Sequence, residues 1–149
     1  MSEFRARVEW RRAAPAIAPD PYDRGHVIRL GSGQALQASS APDYSGDASK
    51  ANPEELLAAA VSSCHMLTFL AVAARSRLVV EGYEDDALAT LEKGADGRVA
   101  VTKVVLRPRV TFSGPAPPAE KLRELHDRAH RGCFIAASVR CAVTIEPAA

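Results

Sequence analysis

Residues 52–67 read NPEELLAAAVSSCHML, and this stretch decides the fold because it predicts one long helix. Asn52 is a suitable N-cap, and Pro53 fits the first helical position, where its missing N–H is not needed. Two glutamates come next, and their negative charges are favourable at the positive end of the helix dipole. The apolar run continues to about Arg75, so the sequence predicts a buried central helix of roughly 22 residues.

The composition is that of one globular domain. The chain has 149 residues, which is a usual domain size, so we expect a single domain over residues 1–149. Hydrophobic residues make up 47% of the chain but aromatic residues only 5%, so the core must be built from alanine, valine and leucine. The formal net charge of +1 gives no argument for binding nucleic acid or a membrane surface.

The sequence predicts a cytoplasmic protein with reduced cysteines. Charges interrupt the N-terminus, so it has no signal-peptide pattern. No run is expected to reach the roughly 18 apolar residues that a membrane span needs. The three cysteines are an odd number, which is unlike the disulfide framework of a small secreted protein.

Strands are expected on both sides of the long helix. Alternating side chains in residues 3–11 predict a strand with one buried face, and prolines at 15, 19 and 21 predict a loop after it. The other expected segments are a hairpin at 24–38, a surface loop at 39–51, strands at 78–92 and 98–113 joined by a turn, a charged amphipathic helix at 119–131, a helical turn at 133–138 and a strand at 139–145. This order predicts an α+β fold with a mainly antiparallel sheet.

Two cysteines are candidates for chemistry, although packing is the alternative for each. Cys64 lies in the middle of the long helix, where the helix dipole lowers a thiol pKa little, so a cation from elsewhere in the chain would have to activate it. Cys133 follows a glycine at a predicted helix start, so local physics predicts that it is the more acidic of the two. Cys141 lies among alternating apolar residues and is expected to be structural.

A metal site is a weaker alternative. His126, His130 and Cys133 are spaced so that the two histidines share a helix face, and Cys64 and His65 could complete a tetrahedral set. The chain has no C-x2-C pair, and the charges around His126 predict that it lies on a solvated helix face. We therefore expect no metal and no cofactor.

The helix motif and the two cysteines together resemble a known family. The run from Asn52 to Leu56 leads into Ser63-Cys64 in one helix, and a second cysteine follows 69 positions later, after a charged helix. This pattern is similar to the OsmC/Ohr family, the osmotically inducible protein C and organic hydroperoxide resistance proteins, over about residues 20–146. The segments SCHML at 63–67 and HRGCFIA at 130–136 resemble an OsmC-like branch.

The resemblance implies a fold and a mechanism. The implied OsmC-like fold is an antiparallel sheet wrapped around a long central helix in an intertwined homodimer, with two active sites at the subunit interface. Cys64 would be the peroxidatic cysteine and Cys133 the resolving one. Glu54 matches the family carboxylate that pairs with a catalytic arginine, and Arg24 is the best match for that arginine. The implied substrate is an organic hydroperoxide, and the implied reductant is a dithiol.

One departure and two alternatives accompany this resemblance. Well-known members carry a proline after the second cysteine, whereas Phe134 and Ile135 follow it here, so we expect a changed pocket or changed access to Cys133. His65 is expected to be a packing or interface residue, with proton donation as the alternative. The alternative function is a non-catalytic OsmC-like protein that binds a small apolar ligand at the dimer interface.

Overall fold

The computed structural model describes residues 1–12 and 19–148, and it confirms the long helix. Helix α1 (Pro53–Arg75) has the predicted limits. A reciprocal cap explains where it starts: the Glu55 N–H donates to Asn52 Oδ1 at 2.9 Å, and the Asn52 N–H donates to Glu55 Oε2 at 3.2 Å. The loop predicted around Pro15 falls largely on residues 13–18, outside the described residues.

The chain forms two compact units, Met1–Leu56 and Leu57–Ala149. The first unit contains three strands, β1 (Ala6–Glu9), β2 (His26–Leu30) and β3 (Ala35–Ala38). They form an antiparallel sheet in the order β1-β2-β3, so the predicted hairpin is confirmed.

The expectation that β1 buries one face is wrong for the single chain. Phe4 is 94% exposed, Val8 65% and Trp10 43%. The alternation correctly predicted a strand, but it could not show what would cover its apolar side.

The second unit combines α1 from Leu57 onward with five strands and two further helices. These elements are β4 (Val80–Asp85), β5 (Leu88–Lys93), β6 (Val99–Leu106), β7 (Pro108–Phe112), α2 (Ala119–Gly132), α3 (Phe134–Ser138) and β8 (Ala142–Ile145). β4 pairs with β7 and β5 with β6, all antiparallel, whereas β8 pairs parallel to β6. The α+β class is therefore confirmed, with one parallel pair.

Each of the two long strands predicted in this unit is divided in two. The breaks fall after Asp85 and at Arg107, so the two halves of the hairpin belong to different sheets. The Asp85 carboxylate accepts the backbone N–H of Arg107 at the break and the hydroxyl of Ser62 on α1. One side chain therefore satisfies the interrupted strand and ties it to the helix.

The core of the second unit is mainly aliphatic, as the composition predicted. α1 contributes to two buried clusters, one against α2 and β7 and one against β6. The first contains Phe69, Val72, Ala73, Phe112, Leu125 and Ala129, and the second contains Val61, Val104 and Leu106.

Contrary to the sequence expectation, α1 is long and apolar enough to meet the criteria for a membrane span. Its most apolar 18-residue window has a mean hydropathy of 1.9, and 33% of that window is buried. A core helix of a soluble protein meets the same criteria, so one such helix is weak support for a membrane location.

Candidate functional site

The second unit brings the two candidate thiols together. Cys133 is 1% exposed, and Cys64 on α1 is partly buried. Both are free thiols. The Cys64 thiol is close enough to Cys133 and to the backbone N–H groups of Phe134 and Ile135 for these groups to change its pKa. Cys133 is therefore the more deeply buried of the two.

The surroundings shift the pKa values of the two thiols in opposite directions. Burial by itself would raise the pKa of Cys64, but the N–H groups of Ile135 and Phe134 and the Cys133 side chain hold that pKa below its ordinary value. Burial raises the pKa of Cys133, and a negative charge on Cys64 raises it further. The prediction that Cys133 is the more acidic is therefore wrong, because burial raises the pKa of Cys133 more than the nearby N–H groups lower it.

The junction of α2 and α3 positions these N–H groups. Cys133 ends α2 and caps α3 with an extended backbone, and its Sγ accepts the Ala136 N–H at 3.4 Å. Gly132 lets this junction approach α1, because a Cβ added there would lie 3.0 Å from Thr68 Cγ2. The Thr68 hydroxyl donates to the Cys64 carbonyl at 2.9 Å and also helps to lower the pKa of Cys64.

A buried histidine pair joins α1 to α2 in the same unit. His65 is 1% exposed and His126 2%, and His65 Nε2 lies 3.1 Å from His126 Nδ1. The His126 ring stacks on Phe69 with centroids 4.4 Å apart. The expectation of a solvated His126 is therefore wrong. Within the described part of the chain, no three histidine, cysteine, aspartate or glutamate residues lie close enough together to hold a metal ion.

Arg24 and Glu54 lie in the first unit, where they are not paired with each other. The Arg24 guanidinium lies 4.4 Å above the Tyr22 ring and donates to the Tyr22 carbonyl at 3.2 Å. Glu54 Oε2 is buried and has no hydrogen-bond partner among the described residues, whereas Glu55 makes the helix cap. The expected ion pair between Arg24 and Glu54 is absent from the described part of this single chain.

Arg24 also lines a mainly apolar groove of the first unit. The groove has a volume of about 360 Å³. Its lining consists of Val8, Trp10, Tyr22, Arg24, His26, Ser39, Ser40 and Pro53. Such a groove fits a small apolar group beside one positive charge.

The structure also shows the surroundings of Phe134 and Cys141. Phe134 is 82% exposed, so it does not close over Cys133 within one chain. Cys141 packs at the edge of the second core cluster, just before β8, in agreement with a structural role.

Comparison with known proteins identifies the family. A family model described as OsmC-like protein matches residues 46–148. An OsmC-like protein of unknown function from Vibrio cholerae is 42% identical to this chain; the match covers 99% of this chain and 100% of that one, with a TM-score of 0.93.

More distant solved structures share the fold. An organic hydroperoxide resistance protein from Elizabethkingia anophelis, with thiocyanate bound, is 17% identical, covers 99% of this chain and 98% of its own, and has a TM-score of 0.75. The organic hydroperoxide resistance protein OhrB of Bacillus subtilis is 22% identical, with the same coverage and a TM-score of 0.71. No protein with a curated functional description matches this chain.

Proposed function

This chain belongs to the OsmC family, and we propose that it is a thiol-dependent peroxidase that reduces organic hydroperoxides. Membership supports a role in hydroperoxide resistance, because solved relatives of this fold carry that name. The observation that carries the proposal is the thiol pair: Cys64 has a lowered pKa and lies beside Cys133, whose pKa is raised. A nucleophile and a protonated second thiol are the two groups that such a reaction needs.

The proposed reaction has two steps before reduction. The Cys64 thiolate attacks the distal oxygen of the hydroperoxide, the O–O bond breaks, and the alkoxide leaves and takes a proton to become an alcohol. Cys64 is then a sulfenic acid. Cys133 attacks its sulfur, a disulfide forms and water leaves. An external dithiol reductant restores both thiols by exchange and is itself oxidised.

Arg24 and Glu54 are the proposed charge partners of this reaction. Arg24 would stabilise the thiolate and the charge on the departing oxygen, and Glu54 would hold the guanidinium. Two observations support these roles. Among the described residues, Glu54 has a buried carboxylate oxygen without a hydrogen-bond partner, and Arg24, which lines an apolar groove, has no carboxylate bound to it.

We also propose that the working form is a homodimer, with α1 at its centre. From residue 60 to residue 74, the exposed positions of α1 recur every three or four residues and are apolar or small; they are Ala60, Ser63, Leu67, Ala71 and Ala74. A helix that is apolar on all sides is normally buried, yet α1 is buried over only a third of its apolar window. A second copy would cover this stripe.

We place the reaction in the cytoplasm. OsmC-like proteins are generally soluble, and within the described residues α1 is the single helix that meets the criteria for a membrane span. All three cysteines are free thiols, which suits a reducing compartment where a dithiol reductant is available.

Turnover of cumene hydroperoxide with dithiothreitol tests the proposal. We expect Cys64→Ser to abolish consumption, whereas Cys133→Ser should accumulate the sulfenic acid, detected by dimedone labelling. Cys141→Ser is the matched control and should keep wild-type turnover. Peptide mapping should find a Cys64–Cys133 disulfide in the wild type after one turnover. If both thiols remain free after repeated turnover, the mechanism is wrong.

The groove of the first unit favours one alternative function, the binding of a small apolar ligand without catalysis. In that case Cys64→Ser would bind an apolar fluorescent probe as well as the wild type. Peroxide consumption would also be negligible with every dithiol tested. Turnover that depends on Cys64 excludes this alternative.

A further inference from the structure

We propose that the hydrogen bond between His65 and His126 is a positioning contact that fixes the rotation of α2 on α1 and so aims Cys133 at Cys64. Both histidines are almost fully buried, and their ring nitrogens lie 3.1 Å apart. The inference rests on the proposed Cys64–Cys133 disulfide. It assigns a role to two residues that the peroxidase reaction itself does not use.

The apolar contacts between the two helices are less directional than this hydrogen bond. Leu122, Leu125 and Ala129 of α2 pack in an apolar cluster with α1, and apolar packing is non-directional. A hydrogen bond between two imidazoles has a defined direction, because one ring must donate and the other must accept. Phe69 stacks on the His126 ring and holds its plane.

The contact can reach Cys133 along the helix. His126 and Cys133 are seven residues apart, which is two turns of a helix, so both lie on the same side of α2. Cys133 is also the residue that ends α2, with its N–H bonded to the His130 carbonyl at 3.2 Å. A rotation of α2 would therefore turn the Cys133 sulfur away from Cys64, and a disulfide tolerates little misalignment.

Equilibration with glutathione tests this role without any peroxide. Glutathione disulfide takes two electrons from the protein, so two protein thiols become one disulfide and two glutathione thiols are released. The equilibrium constant measures how well Cys133 is placed against Cys64. A failure of the peroxidase proposal therefore leaves this measurement intact, since disulfide formation here needs no hydroperoxide.

The variants separate positioning from packing. His126→Phe keeps the ring and its stack but removes the hydrogen bond, and we expect the equilibrium constant to fall about tenfold or more. His126→Asn places an amide near the Nδ1 position and should stay within about threefold of wild type. Equal constants in all three proteins, or an equal loss in both variants, would overturn the inference.

A second pair of variants covers the case in which His126→Phe fails to fold. His126→Gln places its amide near the Nε2 position, away from His65, so it should lose the effect that His126→Asn retains. Val72→Ala, in the same core, is the control for general destabilisation and should leave the equilibrium constant unchanged. If Val72→Ala lowers the constant as much as His126→Gln does, positioning is not the role of the pair.

Discussion

At the scale of single residues, the acidity of Cys64 is set by groups that follow the other cysteine in the chain. Burial raises the pKa of Cys64, but the N–H groups of Ile135 and Phe134, together with the side chains of Cys133 and Thr68, bring it below its ordinary value. A mid-helix thiol has no such donors of its own, because its neighbours' N–H groups are used within the helix. The reactivity of Cys64 therefore depends on tertiary structure.

This environment predicts an order of alkylation. We expect iodoacetamide to modify Cys64 at lower pH than Cys133, because the pKa of Cys64 is lowered and that of Cys133 is raised. Mass spectrometry of the two peptides across a pH series measures the midpoint for each thiol. In urea the two midpoints should converge. The same order in urea, or the reverse order in the folded protein, would contradict this assignment.

At the scale of elements, the approach of α2 to α1 depends on Gly132. Alanine favours a helix over glycine by about 1 kcal/mol, yet its Cβ would lie 3.0 Å from Thr68 Cγ2. We expect Gly132→Ala to give no gain in the free energy of unfolding in the wild type. In a Thr68→Ser background, which lacks that methyl, the same change should be more favourable by about 0.5–1 kcal/mol.

Urea denaturation of the four proteins of this cycle measures the coupling. Thr68→Ser keeps the hydroxyl that donates to the Cys64 carbonyl, so it is a control for the methyl alone. A Gly132→Ala effect that is equal in both backgrounds would mean that the two helices do not touch at this point.

The histidine pair predicts how stability depends on pH. Burial lowers the pKa of His65 to about 4, helped by His126 and His130, and burial also lowers that of His126 to about 4 against the opposing charges of Asp127 and Asp85. The unfolded histidines titrate near 6.5, so the unfolded state binds more protons as the pH falls through the window from 6.5 to 4. Stability is therefore lost across that window.

When the pH falls from 7.5 to 5.5, we expect each histidine of the pair to lower the free energy of unfolding by about 1 kcal/mol. Urea denaturation at the two pH values measures the loss. The double variant His65→Leu/His126→Leu should lose much less stability over the same interval. An equal loss in the double variant would assign the pH dependence to other groups.

Local sequence patterns predicted the helices and strands, whereas the properties of the candidate site depend on tertiary packing. The limits of α1 follow from its cap and from the charge at its end, which are readable within a few residues. His126 was misplaced because charged residues flank it. The signal that could have found it is its helical spacing, which puts it on the same face as Leu122, Leu125 and Ala129. Thr68, one turn along α1, is a local contributor to the acidity of Cys64, but the larger contributions come from residues 133–135, far away in the sequence.

At the scale of the whole molecule, we expect a second chain to cover the exposed apolar face of α1. Leu67 is 61% exposed in the middle of that face, and a helix of this hydropathy is costly to leave in water. Arg24 and Glu54 also lack a shared ion pair in the single chain, among the residues described. Both observations are consistent with a working form larger than one chain.

We therefore expect the wild type to sediment as a dimer of about 32 kDa, twice the 15.9 kDa of the chain. Leu67→Glu should give monomers, because burying a carboxylate at a helix–helix seam costs several kcal/mol. Val99→Glu is the matched control, since Val99 is 59% exposed on β6 and is not part of the α1 stripe. Sedimentation equilibrium of the three proteins decides the matter: a monomeric wild type, or a dimeric Leu67→Glu, would rule out a dimer built on this face of α1.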